Sequence, residues 1–273
     1  MSPAPPERPA VRVTVGQLRV SDDHDANREV VRRAVDTAAR AHADLLVLPE
    51  YASGFDPEGT GPRHAEPLDG PFVTLLREEA VRTGTAVVAG TTLPGSTAER
   101  AVNAVVAVGA DGALAGVYRK VHLYDAFGHR ESDRLEAGPA DAEPLAFDVA
   151  GLRVGVLTCY DLRFPESARR LVDAGAQVLV VPAAWAAGPL KAMHWRTLAT
   201  ARAIENTSVV VAVGQAGPGV TGRSLVVGPD GTVGLELGED PEIRTVDLDP
   251  VGLAEVRTRN PSLAHRRYRV LPA

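Results

Sequence analysis

Short apolar runs alternate along this chain with longer segments in which apolar residues recur at helical spacing. Continuous apolar runs are typical of strands buried on both faces, and they cover residues 44–50, 85–90, 177–185 and 208–215. Alternating or turn-bounded apolar positions predict two further strands, over residues 11–20 and 245–250. A period near 3.6 residues predicts helices over residues 22–43, 72–84, 165–176 and 194–207, with a short helix after residue 250.

Three hairpins interrupt this alternation and indicate sheets that are partly antiparallel. Asp111-Gly112 and Asp230-Gly231 are strong turn signals, and Ala150-Gly151 separates another pair of apolar runs. The two halves of the chain repeat the same order of elements, and no linker separates them. We therefore predict one α/β domain with two sheets in the middle and helices outside. A Rossmann fold is the alternative, but the hairpins and the lack of Gly-x-Gly-x-x-Gly after the first strand count against it.

The composition of this 273-residue chain argues against several classes of function and location. Its formal net charge of -6 does not favour a nucleic-acid partner, because a phosphate binder needs a concentrated basic face. The densest basic stretch, residues 257–269, is more typical of a solvated or interface-facing segment than of an anion-binding site. No apolar run approaches the roughly 20 residues of a membrane span, and residues 1–10 predict a disordered, proline-rich tail rather than a signal peptide. One cysteine cannot form an internal disulfide, which favours a reducing compartment. We expect a cytoplasmic protein with a single domain over residues 11–273.

Three side chains with catalytic potential lie where predicted strands end, namely Glu50, Lys120 and Cys159. Loops at strand ends are held by a rigid sheet, so catalytic residues are common there. Each residue alone also has a structural explanation. A lone cysteine is usually inert core, a glutamate after proline can begin a helix, and a lysine beside an arginine can lie on an exposed edge strand.

The motifs around these residues are LPE (48–50), YRKVHL (118–123) and CYDLRFPE (159–166), and in this order they resemble those of the nitrilase superfamily of carbon–nitrogen hydrolases. The resemblance extends over nearly the whole chain and implies a four-layer αββα sandwich. PAAW (182–185) and the segment HW…ARAIEN (194–206) are similar to the omega-amidases and deaminated glutathione amidases. True nitrilases usually have Cys-Trp-Glu at the nucleophile, whereas Tyr160 and Asp161 follow here, which favours an amide over a nitrile.

The resemblance implies a catalytic triad of Glu50, Lys120 and Cys159. Cys159 would be the nucleophile, and Glu50 the general base that takes the thiol proton and later activates water. Lys120 would stabilise the oxyanion of the tetrahedral intermediates, with the backbone N–H of Tyr160 as a second donor.

A second glutamate of the family lies shortly after the lysine motif, and Glu131 in HRES is its match here. It would hold Lys120 and contact the leaving amide nitrogen. Glu136 is close enough in sequence to be an alternative, and Glu131 could also be a solvated loop acid. This chemistry requires no metal or cofactor, and the seven histidines include no ligand-spaced cluster such as His-Glu-x-x-His.

Four residues are candidates for substrate binding: Tyr160, Arg163, Trp185 and His129. An arginine is suited to bidentate binding of a carboxylate, and in related carbamoylases the arginine at this place binds the substrate carboxylate. An ion pair of Arg163 with Asp161 or Glu166 is an equally supported alternative. Trp185 could form a pocket wall or pack in the core, and His129 lies beside Glu131 in sequence.

The predicted function is hydrolysis of a small linear amide, one that also carries a carboxylate, to an acid and ammonia. The alternatives are an N-carbamoyl amino acid hydrolase, a nitrilase, a glutaminase subunit with a separate synthetase partner, and a catalytically silent binding module. Leu162 counts against the carbamoyl substrate, because those relatives often have Cys-x-Asp-Arg-Arg. The resemblance also implies at least a homodimer, with ARRLVDAG (168–175) and the C-terminal segment at the interface.

Overall fold

Two six-stranded sheets form the centre of the computed structural model, which describes residues 10–272. The first sheet contains β1 (Val11–Gln17), β2 (Leu45–Val47), β3 (Ala86–Pro94), β4 (Ala101–Val108), β5 (Leu114–Arg119) and β12 (Glu242–Leu248). The second contains β6 (Ala146–Val149), β7 (Leu152–Val156), β8 (Val178–Ala183), β9 (Val209–Gly214), β10 (Leu225–Val227) and β11 (Val233–Glu236). Except for residue 10, the tail predicted over 1–10 lies outside the described residues.

The two sheets have matching topology. Three parallel strands form the centre of each, β1-β2-β3 in the first and β7-β8-β9 in the second, and antiparallel strands lie on either side. The strand orders are β12-β1-β2-β3-β4-β5 and β11-β10-β9-β8-β7-β6. The repeat predicted from the sequence is thus present as two similarly built sheets, and neither is the single parallel sheet of a Rossmann fold.

Four of the five helices cover the outer faces of the sheets, and Leu253 of the fifth packs into the core between them. The helices are α1 (His24–Arg40), α2 (Pro71–Thr83), α3 (Pro165–Asp173), α4 (Lys191–Asn206) and α5 (Pro250–Arg259). Because strand side chains alternate between faces, Leu45 and Val47 pack between the sheets while Leu46 and Leu48 face α1 and α2. On the second sheet, Leu179 points outward to the core formed with α3 and α4. The predicted four-layer αββα sandwich is confirmed. No helix within residues 10–272 has the length and apolar content needed to cross a membrane.

Helix α1 illustrates how the sequence specifies these layers. The Asp23 side chain accepts a hydrogen bond from the backbone N–H of Ala26 and so caps the helix. Val31, Val35 and Ala38 recur on one face and are fully buried. The charged opposite face remains in water, so the helix seals one outer surface of the sandwich.

The strands that precede Glu50 and Cys159 end earlier than the apolar runs that predict them, and the residues between the strand ends and these side chains shape the site. β2 ends three residues before Glu50, and β7 ends three residues before Cys159, whereas Lys120 directly follows β5. Glu50 passes so close to β3 that a Cβ on Gly90 would lie 2.4 Å from the Glu50 Cα atom. Gly90 therefore allows the chain carrying Glu50 to lie against the sheet.

Candidate active site

One pocket brings together seven of the eight residues predicted from the sequence. Its lining includes Glu50, His129, Glu131, Cys159, Tyr160, Arg163 and Trp185. The eighth, Lys120, is completely buried and contacts the pocket through Glu50 and Glu131. Residues that follow strands of both sheets thus meet at one place, Glu50 and Cys159 after the central strands β2 and β7 and Lys120 after the edge strand β5.

Glu50 is held by four groups although its side chain is almost completely buried. Its Oε1 accepts hydrogen bonds from Lys120 Nζ at 3.1 Å and from Asn103 Nδ2 at 2.7 Å. Its Oε2 accepts from the backbone N–H of Ala184 at 2.6 Å, and Gln215 Nε2 donates to its backbone oxygen. These contacts fix the carboxylate in one orientation, as a general base requires.

Lys120 joins two carboxylates. Its Nζ lies 2.8 Å from Glu131 Oε2 and 3.1 Å from Glu50 Oε1. Burial by itself would lower the pKa of Lys120, but the charges of Glu131 and Glu50 more than offset this and raise it well above its usual value. The side chain is therefore an ammonium group, able to stabilise a developing negative charge.

The position of Glu131 explains why it, rather than Glu136, reaches Lys120. The Glu131 carboxylate accepts from the backbone N–H of Tyr124 at 2.8 Å and from the Tyr51 hydroxyl at 3.1 Å, and its side chain is mostly buried. Glu136 instead accepts from the backbone N–H and hydroxyl of Ser96. Glu131 is thus part of the buried cluster and not a solvated loop acid.

Cys159 begins a 310 turn over Cys159–Arg163 with a left-handed backbone, at a φ of 46°. This conformation is unfavourable for a residue with a side chain and is found mostly where surrounding contacts enforce it. The Thr158 hydroxyl donates to the backbone oxygen of Pro182 at 2.7 Å, and the Thr158 N–H donates to Asp161. The first amides of such a turn have no partner within it, so the Tyr160 N–H is available to a ligand.

Asp161 connects the nucleophile turn to the segment that carries Lys120. Its fully buried carboxylate accepts from the Tyr118 hydroxyl at 2.8 Å and from the backbone N–H of His122 at 3.0 Å. The His122 ring also lies 2.8 Å from this carboxylate and stacks on Phe164. Of the charged residues that follow Cys159 in sequence, Asp161 therefore fixes the turn relative to Lys120.

The thiol of Cys159 is protonated in the free site. Burial and the negative charge of Glu50 raise the pKa of Cys159 well above its usual value, and Lys120 only partly offsets them. A thiol in this environment needs an adjacent base to become a nucleophile. Glu50 and Cys159 line the same pocket, so the carboxylate is placed to accept the thiol proton.

Arg163 makes no ion pair among residues 10–272, so neither predicted partner holds it: Asp161 is bound elsewhere, and Glu166 does not reach it. Its guanidinium lies 4.9 Å from the centroid of a Trp185 ring and 5.9 Å from that of Tyr160. Its Nε is buried and lacks a hydrogen-bond partner within the same residues. Arg163 is thus a cation held by aromatic rings at the pocket.

Trp185 and His129 differ in their surroundings. Trp185 is buried, donates from Nε1 to the backbone oxygen of Lys191 and packs against Trp195, so it belongs to both the core and the pocket wall. His129 is exposed, and its ring lies 5.2 Å from that of Tyr124. Both interpretations of Trp185 made from the sequence therefore apply.

Sequence reasoning missed three contributors to this site. Asn103 and Tyr51 support the carboxylates of Glu50 and Glu131, and Lys191 lines the pocket beside Arg163. Asn103 offered a signal, because it is the one polar residue in the apolar run AVNAVVAV (101–108). Within the described part of the chain, no three His, Cys, Asp or Glu side chains are placed to hold a metal ion.

Comparisons with known proteins agree with this geometry. A family model described as carbon–nitrogen hydrolase matches residues 12–258. The chain is 38% identical over 258 residues to the deaminated glutathione amidase of Escherichia coli, a match that covers 94% of this chain and 97% of the relative. It is 31% identical over 270 residues to omega-amidase NIT2-B of Xenopus laevis, covering 94% and 95% of the two chains.

Solved structures show the same relationship. A carbon–nitrogen hydrolase superfamily protein of Xanthomonas campestris, which has an arsenic adduct in its active site, superposes with a TM-score of 0.83 at 30% identity. The match covers 96% of this chain and 99% of that one. The predicted superfamily and the predicted amidase activity are confirmed. The chain belongs to the carbon–nitrogen hydrolase family.

Proposed function

We propose that this enzyme hydrolyses a small linear amide that carries a carboxylate, releasing an acid and ammonia through a thioester on Cys159. The observation that carries this proposal is the buried Glu50–Lys120–Glu131 cluster beside a thiol that opens to the pocket. This arrangement supplies a base, an oxyanion donor and a nucleophile at one place.

In the first half-reaction, Glu50 takes the thiol proton while the Cys159 sulfur attacks the amide carbon. The carbonyl oxygen becomes an oxyanion, which Lys120 and the Tyr160 N–H stabilise. Glu50 then passes the proton to the amide nitrogen, the carbon–nitrogen bond breaks, and ammonia leaves. Glu131 keeps Lys120 in position and lies near the departing nitrogen.

In the second half-reaction, Glu50 removes a proton from water as the water oxygen attacks the thioester carbon. The same two donors stabilise the second oxyanion. The carbon–sulfur bond then breaks, the proton returns from Glu50 to the sulfur, and the acid is released. The carboxylate thus acts alternately as base and acid, which its fixed hydrogen bonds allow.

Two observations support a carboxylate on the substrate. Arg163 lines the pocket without an acidic partner in residues 10–272, and its planar guanidinium suits a carboxylate. Tyr160, Trp185 and His129 complete the wall around the acyl chain in this proposal. The relatives named omega-amidase and deaminated glutathione amidase support an amide of this kind.

Ammonia release from matched primary amides, nitriles and N-carbamoyl amino acids tests the proposal. We expect turnover of glutaric acid monoamide and 2-oxoglutaramate by the wild-type enzyme and none by a catalytically dead variant. Turnover of nitriles or carbamoyl compounds alone would contradict the amide assignment while leaving the three catalytic residues in place. No turnover across the whole panel would favour the binding-module alternative.

Glu50→Gln is expected to change thiol reactivity and catalysis in opposite directions. Removing the negative charge beside Cys159 lowers the pKa of its thiol, so the thiolate fraction at a given pH rises. Loss of the general base should nevertheless reduce kcat for amide hydrolysis by about 10²- to 10⁴-fold. The rate of alkylation by iodoacetamide, measured from pH 6 to 10, reports the first effect, and ammonia release reports the second.

For the wild-type enzyme, alkylation should still be rising above the pKa of about 8.5 typical of a free cysteine. A wild-type profile that levels off near pH 7, or a Glu50→Gln profile displaced to higher pH, would contradict the assignment of Glu50 as the charge that keeps the thiol protonated. Glu58→Gln is a suitable control, because this glutamate lies at the pocket but is exposed.

A homodimer and a cytoplasmic location are also proposed. Tyr268 and Leu271 in the C-terminal segment are largely exposed, which is consistent with an interface there together with ARRLVDAG (168–175). Light scattering that gives the mass of one chain would contradict the dimer.

The single cysteine agrees with a reducing compartment such as the cytoplasm. Recovery of the enzyme only from a membrane or extracellular fraction would contradict a cytoplasmic location.

A further inference from the structure

Lys191 is a buried cation in the pocket that the catalytic steps do not use. It begins α4, and only 7% of the residue is exposed. Its ammonium group donates to the Tyr124 hydroxyl at 2.6 Å and lies 3.6 Å from the centroid of the Phe127 ring. An ammonium has three N–H donors, so this contact leaves capacity for a ligand.

No acidic side chain within residues 10–272 pairs with Lys191 or with Arg163. Both cations line the pocket and lie within 6 Å of the centroid of the same Phe127 ring, which places them next to each other. Placing the buried Lys191 cation beside the half-buried Arg163 cation, with no acidic partner for either among these residues, is unfavourable unless an anion joins them.

The environment of Lys191 disfavours its charged form. Burial and the neighbouring Arg163 cation lower the pKa of Lys191 below its usual value. The aromatic rings of Tyr124 and Phe127 compensate only in part, since a cation–π contact is worth less than an ion pair with a carboxylate.

We infer that Lys191 and Arg163 together form one anion subsite, which holds the carboxylate at the end of the acyl chain remote from the scissile amide. Lys191 is thereby a specificity-determining residue that favours amides of dicarboxylic acids over neutral amides. This inference rests on the proposed function, because it assigns the substrate carboxylate of that same site. The planar guanidinium of Arg163 can donate two parallel hydrogen bonds to the carboxylate, and the ammonium of Lys191 adds a compact positive charge beside it.

The test compares Lys191→Met with the wild-type enzyme on two substrates of equal chain length, glutaric acid monoamide and pentanamide. We expect kcat/KM for the acidic amide to fall about 10- to 100-fold, mainly through KM, because a hydrogen bond to a charged group is lost. The value for pentanamide should change less than about threefold. An equal loss on both substrates, or no loss on the acidic one, would overturn the inference.

A binding measurement separates this inference from the proposed function. Glutarate binding, followed by calorimetry, should weaken at least about tenfold in Lys191→Met even if no amide in the panel is turned over. Equal glutarate affinity in the two proteins would overturn the subsite even if the amidase activity is established. Failure of the amidase proposal appears separately, as a lack of ammonia from every amide.

Two further variants guard against a folding artefact. Lys191→Gln retains a hydrogen-bond donor for Tyr124 but not the charge, so it should reproduce the loss seen with methionine. The hydrogen bond from Trp185 Nε1 goes to the backbone oxygen of Lys191 and survives either substitution. Arg130→Gln removes a cation from the pocket rim that is exposed and paired with Asp133, so it should leave both substrates and glutarate binding nearly unchanged.

Discussion

Replacing Cys159 with alanine is expected to lower amide hydrolysis by at least about 10⁴-fold and to leave the fold intact. The thiol is the nucleophile of the first half-reaction and the leaving group of the second, and no thioester can form without it. Alanine retains the Cβ atom, so the packing of the nucleophile turn changes little. We therefore expect the free energy of unfolding to stay within about 1 kcal/mol of the wild-type value.

Two measurements check this expectation. Ammonia release from glutaric acid monoamide gives the activity, and intact-mass spectrometry after acid quenching detects an acyl adduct on the wild-type enzyme but not on Cys159→Ala. Glutarate should bind both proteins with similar affinity, because Arg163 and Lys191 are unchanged. Residual activity above about 1%, or an adduct on the variant, would mean that another group is the nucleophile.

Cys159→Ser is the matched control for the chemical nature of the nucleophile. Serine preserves the shape and polarity of the side chain, but its hydroxyl is far more difficult to deprotonate than a thiol. A carboxylate such as Glu50 is a weak base toward it, so the variant should retain little activity. If serine restored most of the activity, the raised pKa of the thiol would have no bearing on the mechanism.

The sequence predicted most of the fold because its periodicities and turn residues are unambiguous. The run 208–215 contains β9 (Val209–Gly214), and the pattern over 165–176 contains α3 (Pro165–Asp173). In each of these elements, the spacing of apolar residues along the sequence matches the spacing of the side chains that the element buries. The pairing of strands that are far apart in sequence, such as β1 with β12, could not be predicted from local sequence patterns, because it depends on the tertiary arrangement of the whole chain.

The sequence allowed prediction of those site residues that directly follow predicted strands. Glu50, Lys120 and Cys159 do so, and their motifs carried the resemblance to a known family. The resemblance favoured Glu131 over Glu136, but the contacts that separate them, the bond from the Tyr124 N–H and the 310 turn that starts at Glu131, were not predictable from local sequence.

Lys191 shows a different limit of sequence reasoning. The apolar period of α4 is clear only from residue 194 onward, whereas the helix begins at Lys191, after Leu190 takes a left-handed conformation. A lysine at that place resembles an ordinary surface residue. Its burial results from Tyr124 and Phe127, which come from a loop about 65 residues earlier in the chain.

Lys120→Met is expected to impair both catalysis and stability. Loss of an oxyanion donor typically costs about 10²- to 10³-fold in kcat. The substitution also leaves the Glu50 and Glu131 carboxylates buried without the cation that joins them. Breaking a buried ion pair in this way typically destabilises a protein by about 3–5 kcal/mol. Denaturant unfolding and ammonia release measure the two effects.

The double variant Lys120→Met/Glu131→Gln distinguishes these two losses. Removing the second carboxylate relieves the repulsion, and Glu50 keeps its bonds from Asn103 and the Ala184 N–H. Stability should therefore recover by about 1–3 kcal/mol relative to Lys120→Met, while activity stays at the level of the single variant because the oxyanion donor is still absent. If the double variant recovered activity together with stability, Lys120 would act only as a structural counter-ion. If Lys120→Met were as stable as the wild type, the buried charge cluster would not contribute to stability as described.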